Sequence, residues 1–389
     1  MLRRWAAAAA AAGLWLAWSA ACAPAALAAP AGRAAPGPGA VSRLVKDLQA
    51  AWQITKGDGV TVAIMGLRVD PATPGLAGKV TTGPSFGGPA RSRSNLDSLL
   101  AAAVAGSGPD GQTPYGNVGM APGARVLALQ TGNGNWGNVA HAIRYAVRHH
   151  AQVIFVDESS SEGAAVLDSA VQFAVSKGAV VVAVGYRPAG VPASSPQYPD
   201  ALPGVLTARA VTAPGSPQSC PAYRPVLAGT ALVAAPDNDL PLAAADGSTW
   251  VVCNAAAAAA WLASTAVLIK SVYPHLAPGL VARAIAVSAR DRPRGGYSAG
   301  MGFGMINPAG ALHAAAALQH LPAVAAAGPG SVAPAQRLTA EPVPGAVRAV
   351  HHSPLLLAAY GGAMAAGLIC AGLALVLARR GRRPRPALP

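Results

Sequence analysis

The sequence predicts an α/β domain in which a parallel β-sheet is covered by helices on both faces. Short apolar runs rich in β-branched residues are typical of buried parallel strands, and they occupy residues 60–65, 152–157 and 179–184. Segments with helical periodicity lie around them, at residues 99–106, 138–150 and 164–175. Such alternation of strands and helices indicates a parallel sheet with helices on its two faces.

A long uncharged helix is expected at the centre of this domain, over residues 252–274. The stretch has no charge before Lys270, and its six consecutive alanines have the highest helix propensity. Asn254 is placed to cap the first turn. Because a helix that is apolar on all sides belongs inside a domain, we expect the rest of the fold to pack around it.

Residues 1–28 have the features of a Sec-type signal peptide. Arginines near the start are followed by an apolar stretch and by a small-x-small cleavage site at residues 26–28. A lipoprotein signal at Cys22 is the alternative, but residues 19–21 lack the aliphatic residue that such a signal needs. The mature chain is therefore expected to be exported.

A second hydrophobic segment, residues 355–378, predicts one transmembrane helix. Its uncharged run of about 24 residues is long enough to cross roughly 30 Å of hydrocarbon. Residues 379–389 follow as a tail with five arginines, and a basic flank of this kind stays in the cytoplasm. The prediction is a single-pass protein of the cell membrane, with the N-terminal domain extracytoplasmic and the C-terminal tail cytoplasmic. A buried core helix is the alternative, which the length and the basic flank disfavour.

The remaining chain divides by composition into three parts. Residues 29–50 form an N-terminal arm that ends in the start of a short amphipathic helix, and residues 51–320 form the α/β domain. Residues 321–354 are rich in Pro, Ala and Gly and too poor in large apolar residues to fold alone, so they are expected to be a linker.

The net charge of +14 gives little support to a nucleic-acid partner once its distribution is considered. Two of the 29 basic residues lie in the signal peptide and five in the tail, which leaves a much smaller excess in the exported part. No cluster of Lys and Arg with interleaved aromatic residues occurs there. The membrane is the partner that the sequence indicates directly.

The four cysteines leave one candidate disulfide and no metal site. Cys22 is removed with the signal peptide and Cys370 lies in the transmembrane segment, so Cys220 and Cys253 remain in an oxidising compartment, just enough for one bond. No histidine or further cysteine stands at metal-ligand spacing, and no phosphate-binding glycine loop or zinc signature is found, so no metal or cofactor is expected.

Four local patterns resemble the subtilisin-like serine proteases. They are AWQITKGDGVTVAI at 51–64, GMAPGARV at 119–126, the central helix that begins NAAAAAAWLAS at 254–264, and GFGMINP at 302–308. The resemblance covers about residues 51–312. With the signal peptide, linker, span and basic tail, the layout is similar to that of the mycosins, membrane-anchored subtilases of actinobacterial type VII secretion.

The resemblance implies a serine endopeptidase, but four chemical positions depart from the family pattern. The nucleophile position is Ala256, the aspartate position is Gly66, the histidine position is Leu96 and the oxyanion-donor position is Tyr186. A methyl group cannot attack a carbonyl carbon, and leucine cannot act as a base. The nearby Asp70 is interpreted as a structural loop residue.

The changes favour an inactive pseudoprotease, a scaffold or binding component linked to type VII secretion, with membrane-complex proteins as possible partners. The first alternative is an active serine endopeptidase with a displaced nucleophile, for which Ser248-Thr249 is the best candidate. The second alternative is a purely structural envelope protein. On the first hypothesis, the small or apolar residues at Gly66, Leu96 and Ala256 lower the desolvation cost of closing the cleft, and the site is expected to serve as packing or as a recognition groove for a partner in the cell envelope.

The predicted helix at 138–150 carries five cationic or titratable side chains, His141, Arg144, Arg148, His149 and His150. They are interpreted either as a general base or ligand cluster, or as solvated cations that complement the helix dipole.

Overall fold

A six-stranded parallel sheet lies at the centre of the domain. The computed structural model describes residues 40–66, 68–87, 95–108, 117–132, 135–185, 196–211, 231–236, 240–252 and 254–321, all within one unit, residues 1–339. The strands are β1 (Thr61–Gly66), β2 (Val80–Ser85), β3 (Arg125–Gln130), β4 (Val153–Val156), β5 (Val180–Ala183) and β6 (Val205–Leu206). Their order is β2-β3-β1-β4-β5-β6, with every neighbouring pair parallel, which confirms the predicted fold class.

Seven helices are described, and the four that come first in the chain are close to the predicted helical segments. They are α1 (Ala40–Trp52), α2 (Leu96–Ala105), α3 (Trp136–Arg148) and α4 (Ala164–Ser176). The remaining three are α5 (Asn254–Val272), α6 (Pro278–Ser288) and α7 (Pro308–Leu318). Helix α7 begins as the GFGMINP pattern predicts, because the Asn307 side chain accepts a hydrogen bond from the Gly310 backbone N–H at 3.0 Å.

The side chains of strand β1 point alternately into two hydrophobic cores, one on each face of the sheet. Val62 and Ile64 pack into a cluster that includes helices α2, α5, α6 and α7. Ala63 and Met65 point to the other face, into a cluster with α3 and α4. Because successive side chains of a strand point to opposite faces, a continuous apolar run is what a sheet covered on both sides requires.

Helix α1 is part of the first core, although most of it precedes residue 51. Leu44, Leu48 and Ala51 are buried in that cluster. The Trp52 indole N–H donates to the Met120 backbone oxygen at 2.9 Å, which holds the helix end against the loop before β3. The packing of α1 therefore joins the end of the predicted N-terminal arm to the domain.

Helix α5 is the buried central helix that the sequence predicts. Among the described residues it is the one helix long and apolar enough to cross a membrane, and 83% of its residues 255–272 are buried inside the domain, so it is a core helix. Near its end, Lys270 is 2% exposed and donates to the Pro274 and Leu276 backbone oxygens at 3.0 and 2.7 Å. Burial lowers the pKa of Lys270 to about 8.

Two small sheets complete the described structure. Strands β7 (Ala208–Val211) and β8 (Val233–Pro236) form a parallel pair, and β9 (Leu240–Ala243) and β10 (Thr249–Val252) form an antiparallel hairpin that leads into α5.

Several predicted features lie outside the described residues and stay predictions. They are the signal peptide at 1–28, the transmembrane helix at 355–378, the tail at 379–389, nearly all of the linker at 321–354, the oxyanion position Tyr186, and Cys220 with Cys253.

Candidate functional site

The carboxyl ends of strands β1, β3 and β4 meet at one edge of the sheet. Gly66 ends β1, and its backbone oxygen accepts a hydrogen bond from the Thr131 N–H, just after β3, at 3.0 Å. The Asp157 N–H, just after β4, donates to the Met65 oxygen at 3.0 Å. This edge is where open parallel sheets usually bind ligands, so it is the candidate site.

The space beside Gly66 is filled by the carboxyl group of Asp97. A Cβ atom at position 66 would lie 2.5 Å from Asp97 Oδ1 and 2.7 Å from Oδ2. Asp97 lies in the first turn of α2 and is 3% exposed, and the Arg68 backbone N–H donates to its Oδ2 at 3.2 Å. A carboxyl group is therefore present next to position 66, but it comes from a different element of the chain.

Asp157 shares a proton with Asp97. The two carboxyl groups are hydrogen-bonded to each other. Since an ionised carboxylate can only accept, one of the pair must keep its proton. Burial first, and then the adjacent Asp97, raise the pKa of Asp157 well above its ordinary value.

Glu158 adds a third carboxyl group to the same site. Burial raises the pKa of Glu158 to about 7, with a further increase from Asp97, against a hydrogen bond with the Thr131 hydroxyl that lowers it. The Thr131 hydroxyl also lies 3.1 Å from the Gly66 oxygen. A hydroxyl has one proton, so Thr131 donates either to Glu158 Oε1 or to the Gly66 oxygen at any one time.

Asp97, Asp157 and Glu158 are called here the carboxyl cluster. The sequence-based prediction did not include this cluster, because it considered only the residues at the four family positions. A signal was available in the sequence. In a chain with only 15 acidic residues, Asp157-Glu158 directly follow a buried parallel strand.

Leu96 and Ala256 lie at the starts of two helices that pack against each other. Leu96 is the first residue of α2 and is 38% exposed, whereas Ala256, in the first turn of α5, is 8% exposed. Neither side chain can act as nucleophile or base. Asp70 has the predicted loop role, since its Oδ1 accepts from the Ala72 N–H at 2.9 Å.

The alternative nucleophile Ser248 lies in the turn between β9 and β10. Its hydroxyl donates to Asp246 and accepts from the Trp250 indole N–H at 2.7 Å. Hydrogen bonds from Ser248 lower the pKa of the exposed Asp246. A carboxylate with a lowered pKa is a poor base, so this pair is badly suited to activate a serine.

Metal binding has no candidate in the described part of the chain, where no group of three or more His, Cys, Asp or Glu residues could hold an ion.

Replacing Glu158 by glutamine should remove a pH dependence of stability. The folded pKa of about 7 exceeds the unfolded value near 4.5, so the folded protein binds more protons between these values and loses stability as pH rises from about 4.5 to 7. We expect the free energy of unfolding of Glu158→Gln to exceed that of the wild type by about 1–2 kcal/mol at pH 8, after allowance for solvent screening. At pH 4 the two free energies should match. Urea unfolding at both pH values measures this. Glu162→Gln, at a nearby exposed glutamate, is the control, and an equal response of both variants would contradict the assignment.

Restoring an aspartate at position 66 should require removal of Asp97. Gly66→Asp alone places a side chain within 2.5 Å of the Asp97 carboxyl group, and overpacking of this kind costs about 1–3 kcal/mol or more. Adding Asp97→Gly should recover most of the loss despite the helix cost of glycine, so the double-mutant cycle should show strong coupling. Additive effects of the two substitutions in urea unfolding would mean that the two positions do not share this space.

The comparisons with known proteins agree with this fold. The profile of the subtilase family, Peptidase_S8, matches residues 57–304. Thermitase from Thermoactinomyces vulgaris is 34% identical over 155 residues, which are 38% of this chain and 54% of thermitase, so the chain spans about half the length of this relative.

Solved structures of mycosins are similar over most of the chain. MycP1 with its N-terminal propeptide removed is 25% identical, with a TM-score of 0.56 over 72% of this chain and 98% of that one. The periplasmic assembly from the ESX-5 inner membrane complex contains a chain that is 22% identical, with a TM-score of 0.57 over 77% of this chain and 88% of that one, which shows the shared fold. The profile match and the parallel-sheet architecture together establish that this chain belongs to the subtilase family.

Proposed function

We propose that this protein is a membrane-anchored, extracytoplasmic pseudoprotease that acts as a scaffold or binding component of a type VII secretion complex. The observation that carries the proposal is the packing at position 66. A glycine stands there, and the Asp97 carboxyl group occupies the space that a side chain would need. The site is filled by groups that hold each other rather than by groups arranged for peptide hydrolysis.

The chemistry of serine proteolysis requires a hydroxyl, a base to accept its proton and a group to orient that base. Ala256 offers a methyl group, Leu96 an alkyl side chain and Gly66 no side chain. The carboxyl cluster does not supply the missing nucleophile, because the first turn of α5 carries Ala256 where a hydroxyl would be needed. These features support inactivity as a subtilase.

Support for the secretion role comes from the neighbours and from the predicted anchor. The similar chains include MycP1 and a chain from the ESX-5 inner membrane assembly. A predicted span at residues 355–378 would hold the domain at the outer membrane face, and the linker at 321–354 would set its reach. A scaffold needs surfaces and rigidity more than turnover, and the buried core suits that role.

The purified protein should not react with a fluorophosphonate probe. We expect no covalent serine adduct and no cleavage of generic peptide substrates, because no activated hydroxyl is present at the start of α5. Mass spectrometry of the treated chain measures the adduct, with an active subtilase treated in parallel. Ser248→Ala serves as the internal control. Stoichiometric labelling of the wild type that disappears in Ser248→Ala would support the displaced-nucleophile alternative and overturn inactivity.

The scaffold role is tested by deletion and rescue in the native cells. We expect deletion of the gene to reduce the assembled membrane complex and its export, and full-length protein to restore both. A chain without residues 355–389 should fail to restore them, because it is not held at the membrane. Site-specific photo-crosslinking should capture a component of the complex. Unchanged assembly and export after deletion, with no component captured, would lead us to abandon the proposal.

A further inference from the structure

A second concave site lies on helix α3, on the face of the sheet opposite α5. It is a cavity of about 400 Å³ lined by Phe86, His141, Arg144, Tyr145 and Arg148. None of these residues belongs to the carboxyl cluster or to the family's catalytic positions. Pockets of about 300–1,000 Å³ are the size that small ligands use.

The cations of this cavity have no acidic partner in the residues that the structure describes. The two ion pairs found there are Arg43–Asp291 and Arg290–Asp47, on other elements. Arg148 is exposed, whereas Arg144 is partly buried and positioned by bonds to the Ser169 hydroxyl at 2.7 Å and the Ala140 oxygen at 3.4 Å. Within the described part of the chain, the cavity therefore presents two guanidinium groups whose charge is not neutralised by an ion pair.

The helix dipole explains only part of this arrangement. A basic side chain complements the dipole within the last turn of a helix, and Arg148 is in that turn of α3. His141 and Arg144 lie further back along the helix, where the dipole offers no such stabilisation. The sequence left two interpretations of these cations. A ligand-binding cluster accounts for His141, Arg144 and Arg148 together.

Two aromatic rings line the cavity, and packing contacts hold the ring of Tyr145 in place. The Tyr145 ring meets Phe86 edge to face, with centroids 5.6 Å apart, and stacks on His149 with centroids 3.9 Å apart. These contacts fix the tyrosine ring beside the two arginines. The site thus combines cationic donors with an apolar surface for a carbon skeleton.

We propose that this cavity binds a phosphate group carried on a small organic skeleton. A phosphate offers more acceptor oxygens than a carboxylate, and arginine forks bind such oxygens in pairs. Two arginines, a histidine and the Tyr145 hydroxyl supply more donors than one carboxylate can satisfy. The source is either a soluble phosphate ester or the head group of an anionic phospholipid. The inference is independent of the proposed secretion role.

The test uses the full-length chain in a zwitterionic detergent. Glycerol phosphate and inorganic phosphate are titrated by calorimetry, and phosphatidylglycerol and phosphatidylcholine are compared by native mass spectrometry. We expect Arg148→Gln to weaken binding at least tenfold and Arg283→Gln, at an exposed arginine of α6, to leave it within twofold. Both variants keep the basic tail, so its attraction for anions cancels in the comparison.

Arg148→Lys separates fork geometry from charge, since it keeps the charge and should still lose most of the affinity. Binding of glycerol phosphate would identify a soluble source, and binding of phosphatidylglycerol alone would identify a lipid source. Equal loss in Arg148→Gln and Arg283→Gln, no binding of either source, or tighter binding of a glutamate-rich peptide than of the phosphates would overturn the proposal. A thermal unfolding curve for each variant shows whether a loss comes from misfolding; if Arg148→Gln is misfolded, Arg148→Lys decides.

Discussion

The burial of helix α5 is the constraint on which the rest of the structure depends. Its alanines at positions 257–260 are fully buried, and Leu262, Val267 and Leu268 are likewise inaccessible. Small side chains let the neighbouring helices approach closely, and the large ones near the far end fill the space beneath the sheet. Helix α5 packs against α2, whose first turn places Asp97 beside Gly66.

The candidate site brings together residues from several segments of the chain. Asp97 brings the start of α2 to Gly66, Asp157 joins it from the end of β4, and Thr131 connects Glu158 to the β1 backbone. The carboxyl groups make hydrogen bonds with the Arg68 N–H, with the Thr131 hydroxyl and with each other in a partly dry environment, where an unpartnered carboxylate would be costly. Protons held within the cluster reduce that cost, so the three carboxyl groups can lie close together at this edge of the sheet.

The sequence was informative wherever a residue's neighbours along the chain determine its environment. The run at β5 and the alanines of α5 specify a buried strand and a buried helix by composition alone. Strand β2 was not predicted, because it is a mostly exposed edge strand that contains Gly83 and Pro84 and is irregularly paired with β3.

The carboxyl cluster could not be derived in the same way. Asp97 stands beside the family's histidine position in the chain, and nothing local indicates that its side chain points to Gly66. The contact depends on how α2 is placed over the end of β1, which is a property of tertiary packing. Family motifs predict which residues stand at the catalytic positions, whereas the structure shows that the Asp97 carboxyl group lies beside Gly66.

The carboxyl cluster also changes the electrostatic field of the whole domain. The formal charge of +14 counts every acidic residue as ionised, but each cluster carboxyl that keeps its proton at neutral pH removes one negative charge from that count. The folded protein is therefore more cationic than its composition states. An anionic surface that approaches to within a Debye length, about 8 Å at physiological ionic strength, meets a stronger attraction, which weakens as the medium becomes alkaline.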